Sequence, residues 1–186
     1  MKKAKVIFLD RDGVINRGRG SDYVDSWHKF RFIPGSLKAL KLLKEHGYRV
    51  IVISNQAGVA KGFYSLKDLS LLTRRMKEVV RTAGGKLDAV YYCPHQNEDR
   101  CACRKPKTGL FWRAHRRFGI PFKKTFVVGD SVRDIVAGKK LRCKTILVLS
   151  GREKLVRKRE WEVQPDLVKR NLLKAVEWIL RNDIHP

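Results

Sequence analysis

Residues 6–16, Val-Ile-Phe-Leu-Asp-Arg-Asp-Gly-Val-Ile-Asn, set four apolar residues ahead of Asp10 and Asp12 and follow them with Gly13. An uninterrupted apolar run of this kind suits a strand buried on both faces of a parallel sheet. Gly13 lets the chain turn sharply as it leaves that strand. Open α/β sheets place their ligands at the carboxyl ends of their strands, so two carboxylates stand where a ligand is expected. Acids this close repel one another unless a cation or a shared proton relieves them. The pair therefore implies a divalent metal, a division into acid and base, or merely two solvated turn aspartates.

The rest of the chain repeats the pattern. Apolar strands near 5–10, 48–54, 88–93, 124–129 and 144–149 alternate with helical segments near 35–46, 66–83, 107–118, 131–140 and 170–181. Such alternation predicts an α/β fold, a doubly wound, Rossmann-like parallel sheet with helices on both faces. The 186 residues suit a single domain spanning 1–186, with a charged loop at 151–163 after the last strand. Leu172, Val176, Ile179 and Leu180 recur at helical spacing and read as core.

Three further stretches, two strand ends and a loop, carry polar groups that could meet a phosphate. Val50-Ile-Val-Ile-Ser-Asn-Gln56 ends with the Ser54 hydroxyl, and Arg104-Lys105-Pro106 puts two cations before a helix. Phe126-Val-Val-Gly-Asp130 closes a strand, and Asp134 lies one helical turn further on. The ordered set Asp-x-Asp, Ser, Lys, Gly-Asp-x-x-x-Asp resembles the four motifs of the haloacid dehalogenase-like (HAD) phosphatases over roughly residues 5–150. That resemblance implies Asp10 as the nucleophile that forms an aspartyl-phosphate. Asp12 would protonate the leaving alcohol and then activate water. Magnesium would bridge Asp10, Asp130 and the Asp12 backbone carbonyl, while Ser54 and Lys105 hold the remaining phosphoryl oxygens. Asp134 either ligates the metal or orients its ligands from behind, and the second role is preferred.

Cys93-Pro-His95 and Cys101-Ala-Cys103 form a C-x-H-x5-C-x-C cluster, a donor set that matches a closed four-ligand zinc site. No apolar residue lies between His95 and Cys101, so the loop has little hydrophobic reason to order itself without a metal. Zn2+ here would be structural, presenting Arg104 and Lys105. A Cys101–Cys103 disulfide, disfavoured by so tight a spacing, and free thiols are the alternatives. Cys143 reads as an ordinary packed cysteine. With the DRDGVIN, SNQAGVAKG and CxCRKP stretches, the chain resembles the HAD branch containing histidinol-phosphate and D-glycero-D-manno-heptose 1,7-bisphosphate phosphatases. This implies a nearly capless enzyme with a zinc-stapled loop in place of a cap, and Asn55 and Arg104 lining the substrate.

Forty-two Lys and Arg against eighteen Asp and Glu give a net charge of +24, enough to raise nucleic-acid binding as a possibility. The excess is spread over every helical segment rather than gathered with aromatics. It therefore reads as a solvated, thermophile-like surface that attracts anionic substrates. No specific nucleic acid and no membrane are expected as partners, and the oligomeric expectation is a monomer or small homo-oligomer. No apolar run approaches membrane-span length. The cysteine pattern suits a reducing, cytoplasmic compartment.

Residues 16–32 follow the first aspartates and are expected to overhang the pocket. They offer Asp22 and Asp25 to a cationic substrate, or Arg17 and Arg19 to a second phosphate. The preferred substrate is histidinol phosphate, because most autotrophic cells need a histidine intermediate. The heptose bisphosphate is the alternative. A polynucleotide 3′-phosphatase or nucleic-acid-binding module is more distant, and it would require a continuous basic groove leading to Asp10.

Overall fold

The structure is a computed structural model and describes residues 5–18 and 23–182. Six parallel strands form one sheet in the order β3-β2-β1-β4-β5-β6. They are β1 (Lys5–Leu9), β2 (Tyr48–Asn55), β3 (Ala89–Cys93), β4 (Thr125–Gly129), β5 (Lys144–Val148) and β6 (Leu167–Lys169). The helices are α1 (Ser36–Glu45), α2 (Leu66–Thr82), α3 (Gly109–Phe118), α4 (Val132–Lys140) and α5 (Leu172–Asn182). This is the doubly wound arrangement expected from the alternation of strands and helices. Among the described residues no separate folded domain is inserted between the strands, and no helix is long and apolar enough to cross a membrane.

Strand periodicity explains the apolar runs. Ile7 and Leu9 of β1, with Val50 and Val52 of β2, join α1, α2 and α5 in one buried cluster. Val6 and Phe8, with Ile51 and Ile53, face α3 and the small residue Ala137 of α4 in another. A strand buried on both sides has no polar face to alternate with, hence the continuous hydrophobicity.

The structure differs from the sequence expectation after β5. The segment expected as a charged loop contains a 3-10 helix at Leu155–Glu160 and leads into the unexpected β6. Trp161 anchors it, buried with Ile135 and Leu147, while Leu155 and Val156 of the 3-10 helix stay exposed. Asp166 fixes the return by accepting from the Thr145 backbone N–H and hydroxyl, both at 2.7 Å. Helix α3 starts later than expected because Lys107 belongs to the turn before it, its N–H donating to the Arg104 carbonyl at 2.8 Å.

Phe8, two residues before Asp10, meets Phe111 of α3 edge-to-face with ring centroids 4.9 Å apart. Phe111 is fully buried, so Phe111→Ala leaves a cavity under the strand that carries Asp10. The expected loss is about 3–5 kcal/mol of unfolding free energy. Chemical denaturation followed by circular dichroism checks this; a loss below about 1 kcal/mol would mean that the α3 layer collapses to fill the space.

Candidate active site

The carboxyl ends of β1, β2 and β4 lie side by side, and each strand delivers a polar side chain as it finishes. Asp10 follows β1, its N–H donating to the Val128 carbonyl at 3.0 Å, so its backbone is still tied to the sheet. Asp130 follows β4. Asp134 sits in the first turn of α4, where one carboxylate oxygen accepts from the Ser131 N–H at 3.2 Å and completes a capping box. Carboxylate oxygens of Asp10, Asp130 and Asp134 lie within 4.8 Å of one another.

Lys105 reaches into this group from the loop before α3. Its ammonium is buried and contacts Asp134 Oδ1 at 2.5 Å, the Ile53 carbonyl at 2.7 Å and Asp10 Oδ1 at 3.0 Å. Burial alone would lower its pKa, but Asp10 and Asp134 outweigh that and raise it. One cation does not balance three acids. Burial first, and then Asp134 and Asp12 against the pull of Lys105, raise Asp10 to about 6. Asp130 is pushed well above the usual carboxylate range by burial and by Asp10 and Asp134. A convergent set of hard oxygen donors carrying excess negative charge suits a divalent cation.

Glycines make the close approach possible. Gly13 has a φ of +80°, and a Cβ there would sit 2.1 Å from Asp130 Oδ2; a Cβ on Gly151 would sit 2.0 Å from the same atom. The Arg152 N–H beside Gly151 donates to that oxygen at 2.7 Å.

Asp12 is differently placed, outside the three-carboxylate group. Arg11 Nη2 contacts its two oxygens at 3.1 and 2.9 Å, Asn16 donates to Oδ1 at 2.8 Å and Gln56 to Oδ2 at 2.7 Å. Burial would raise Asp12, but the Arg11 guanidinium and these donors overcome it and hold the pKa low. Asn55 is occupied as well as close. Its amide donates to the Lys105 carbonyl at 3.1 Å and accepts from the Lys105 N–H at 3.0 Å, docking the Lys105 loop onto the end of β2.

Asp10, Asp12, Ser54, Asn55, Arg104, Lys105, Asp130 and Asp134 all line one open cavity of 1110 Å³. Tyr23 and Val24 from the expected overhang line it too, as does Arg17. Asp25 is not among the lining residues and instead pairs with Lys29. Asp22 and Arg19 lie outside the described residues. Sequence reasoning missed Arg133 of α4 and Arg152 of the loop after β5, which line the mouth with Arg104. Burial, and then Arg152 and Arg104, lower the Arg133 pKa: the guanidiniums repel one another. It also missed Gln56, whose significance depends on partners remote in sequence.

In the Cys93–Cys103 loop the thiols and imidazole converge. Sulfur separations are 3.2 Å for Cys93–Cys103, 3.5 Å for Cys101–Cys103 and 3.6 Å for Cys93–Cys101, and His95 Nδ1 lies 3.2 Å from Cys103 Sγ. Zinc–sulfur bonds of about 2.3 Å in a tetrahedron place ligands about 3.8 Å apart, so the cluster fits such a centre after slight expansion. Arg104 Nε donates to Asn97 Oδ1 at 2.7 Å and Nη1 to the His95 carbonyl at 3.1 Å, fixing that guanidinium to the loop.

The HAD-hydrolase-like family model matches residues 102–175. A D-glycero-beta-D-manno-heptose-1,7-bisphosphate 7-phosphatase of Helicobacter pylori strain J99 is 37% identical over 94% of this chain and 97% of its own length. One of the same name from Pasteurella multocida is 42% identical over 82% of this chain and 84% of its own. Among solved structures, the D,D-heptose 1,7-bisphosphate phosphatase from B. bronchiseptica, complexed with magnesium and phosphate, superposes with a TM-score of 0.88 at 32% identity, over 95% of this chain and 98% of that one. None of these relatives supports the expectation of histidinol phosphate; they favour its alternative. With strand-end aspartates, a buried lysine and relatives spanning nearly its whole length, the chain belongs to the HAD phosphatases, in the branch that contains the D,D-heptose 1,7-bisphosphate phosphatases.

Proposed function

We propose that this phosphatase removes one phosphate from a sugar bisphosphate of the D-glycero-D-manno-heptose 1,7-bisphosphate kind. The observation that carries the choice is the cluster of Arg104, Arg133 and Arg152 at the mouth. Mutually repelling guanidiniums gain most from a dianion placed among them, and planar guanidiniums meet phosphate through paired hydrogen bonds. Among the described residues of the 16–32 segment, Asp25, offered to a cationic amine or imidazole, is turned to Lys29 and does not line the cavity. The polynucleotide reading is disfavoured because the basic groove of 930 Å³ along α2, lined by Arg74, Lys77, Arg81 and Arg113, shares no lining residue with the cavity of Asp10.

Asp10 attacks phosphorus and becomes the aspartyl-phosphate, with its carboxylate aimed by the backbone tie to β4. Lys105 and Ser54 hold oxygens of the transferring group, where negative charge spreads. Asp12 delivers a proton to the leaving alkoxide and then draws one from water. Its donors favour the ionised form that the second step needs, and protonation for the first step loosens its hold on Arg11. Asp10, Asp130 and Asp134 would hold magnesium, which when bound screens the phosphate dianion from the attacking carboxylate. The Cys93, His95, Cys101 and Cys103 set would hold zinc and keep Arg104 and Lys105 aimed at the cavity.

Turnover of the heptose bisphosphate and of histidinol phosphate, measured side by side, tests the substrate. A higher kcat/KM for histidinol phosphate overturns the reading. Arg133→Ala and Arg152→Ala are each expected to cost about 1.5–3 kcal/mol in kcat/KM for the bisphosphate, with little change for a small aryl phosphate. Asp10→Asn should reduce turnover of every phosphomonoester by roughly 10³-fold or more while leaving the circular dichroism spectrum unchanged.

The metals should be separable. Freshly purified, reduced protein is expected to carry about one zinc per chain by elemental analysis, lost in Cys101→Ser. Magnesium, held by carboxylates, should leave with a mild chelator and restore activity on return. The raised Asp10 and Asp130 bind protons more tightly when folded than unfolded, so metal-free stability falls as pH rises from the normal carboxylate range, through about 6 for Asp10 and in the same direction for Asp130. Magnesium should therefore raise the melting temperature more near pH 7.5 than near pH 5, where protons compete with it. Equal shifts at the two pH values would show that these acids do not share the metal.

A further inference from the structure

Gln56 follows β2 and is 2% exposed. Its Nε2 donates to Asp12 Oδ2 at 2.7 Å and to Ser54 Oγ at 3.1 Å. Its Oε1 accepts from the Tyr64 hydroxyl at 2.6 Å and from Arg11 Nη2 at 3.0 Å. A primary amide has two N–H donors and an oxygen with two lone pairs, and all four are used. The direction of the amide follows from its neighbours. A guanidinium can only donate, so the atom facing Arg11 is the oxygen; an ionised carboxylate can only accept, so the atom facing Asp12 is the nitrogen.

One amide group therefore touches the side chain assigned to proton transfer and the hydroxyl assigned to the phosphoryl oxygens. Ser54 Oγ receives a hydrogen bond from Gln56, which leaves its own proton to be donated elsewhere. Asp12 is held on one oxygen by the same nitrogen that orients Ser54, so the two side chains share a common reference point. A glutamine that served only to fill the core could satisfy its amide against backbone groups of its own turn.

We propose that Gln56 is a positioning residue for phosphoryl transfer: it sets Asp12 against Ser54 and makes the Ser54 hydroxyl a donor, while Arg11 and Tyr64 lock the amide in the one useful orientation. This rests on the roles given above to Asp12 and Ser54. Gln56→Met keeps the length of the side chain and removes its donors. Gln56→Glu keeps its shape and puts acceptor oxygen in place of nitrogen beside Asp12. Tyr64→Phe leaves the amide in place and frees one of its two orienting contacts.

The test is kcat for an alkyl phosphate, whose poor leaving group needs a proton, against an aryl phosphate, whose leaving group barely does. Melting temperatures are recorded for each variant. Gln56→Met is expected to lower kcat on the alkyl phosphate about 10-fold more than on the aryl phosphate, a fraction of what general acid catalysis supplies. Gln56→Glu should show no rescue. Tyr64→Phe should show a smaller loss with the same dependence on leaving group and a melting temperature near that of the parent protein. Should Gln56→Met fail to fold, Tyr64→Phe alone decides the matter by that dependence. Equal losses on both phosphates, or unchanged kcat, would overturn the proposal and leave Gln56 as packing. Asp12→Asn separates the two levels of inference. If it lacks the leaving-group dependence, the role of Asp12 falls and this proposal with it. If it shows the dependence and the Gln56 and Tyr64 variants do not, only the role of Gln56 falls.

Discussion

The buried Lys105 ammonium, shared among Asp10, Asp134 and the Ile53 carbonyl, is the interaction on which the rest of the site depends. An isolated charge taken out of water costs several kcal/mol, and leaving one member of such a group unpaired costs more than the pair contributes. Lys105 offers three hydrogens to three acceptors from β1, β2 and α4, so the sheet must be assembled before the lysine can be buried. Asp10 and Asp134 in turn could not lie so close without it. What remains after Lys105 is counted is an excess of negative charge on Asp10, Asp130 and Asp134, and that excess is what makes the site attractive to a divalent cation.

The loop carrying Lys105 is held at both ends by polar chemistry, with little apolar packing of its own. At one end Asn55 exchanges two hydrogen bonds with the Lys105 backbone across fifty residues of chain. At the other, three thiols and an imidazole gather around a point that a tetrahedral metal would fill. Between them Arg104 is tied to Asn97 and to the His95 carbonyl. Lysine and arginine, adjacent in sequence, are thereby turned to different tasks: one is buried among the carboxylates, the other stands at the rim.

At that rim the electrostatics change sign. Of the residues lining the cavity, Asp130 and Asp134 are buried, while Arg104 and Arg133 are half-buried and Arg17, Arg152 and Lys154 exposed. A dianionic group is drawn inward by the mouth, while the floor admits it only if Lys105 and a cation cancel the aspartates. A substrate with a second phosphate satisfies both regions at once. This polarity is the physical ground for proposing a heptose bisphosphate rather than histidinol phosphate, and the relatives named above are heptose bisphosphate phosphatases.

Much of this was readable in the sequence. Buried parallel strands must be apolar throughout, so β1 to β5 stand out from their surroundings, and acids placed directly after them fall at the ligand-binding edge whatever the loops do. The convergence of Cys93, His95, Cys101 and Cys103 was likewise readable, because ligand spacing is local. Strand β6 was not, since three half-buried residues held by Asp166 and Trp161 leave no periodic signal. Arg133 and Arg152 were hidden among forty-two basic residues, and only folding singles out the few that face Asp130 and its neighbours. Gln56 was hidden for the opposite reason: an amide has no role until Asp12, Ser54, Arg11 and Tyr64 surround it. The sequence by itself determined strands β1 to β5, the acids at their ends and the metal-ligand spacing, because each depends on neighbours along the chain. Tertiary structure decided the division between the Asp10–Asp130–Asp134 group and the separately caged Asp12, and the sign of the charge at the mouth, because those depend on distances between residues far apart in sequence.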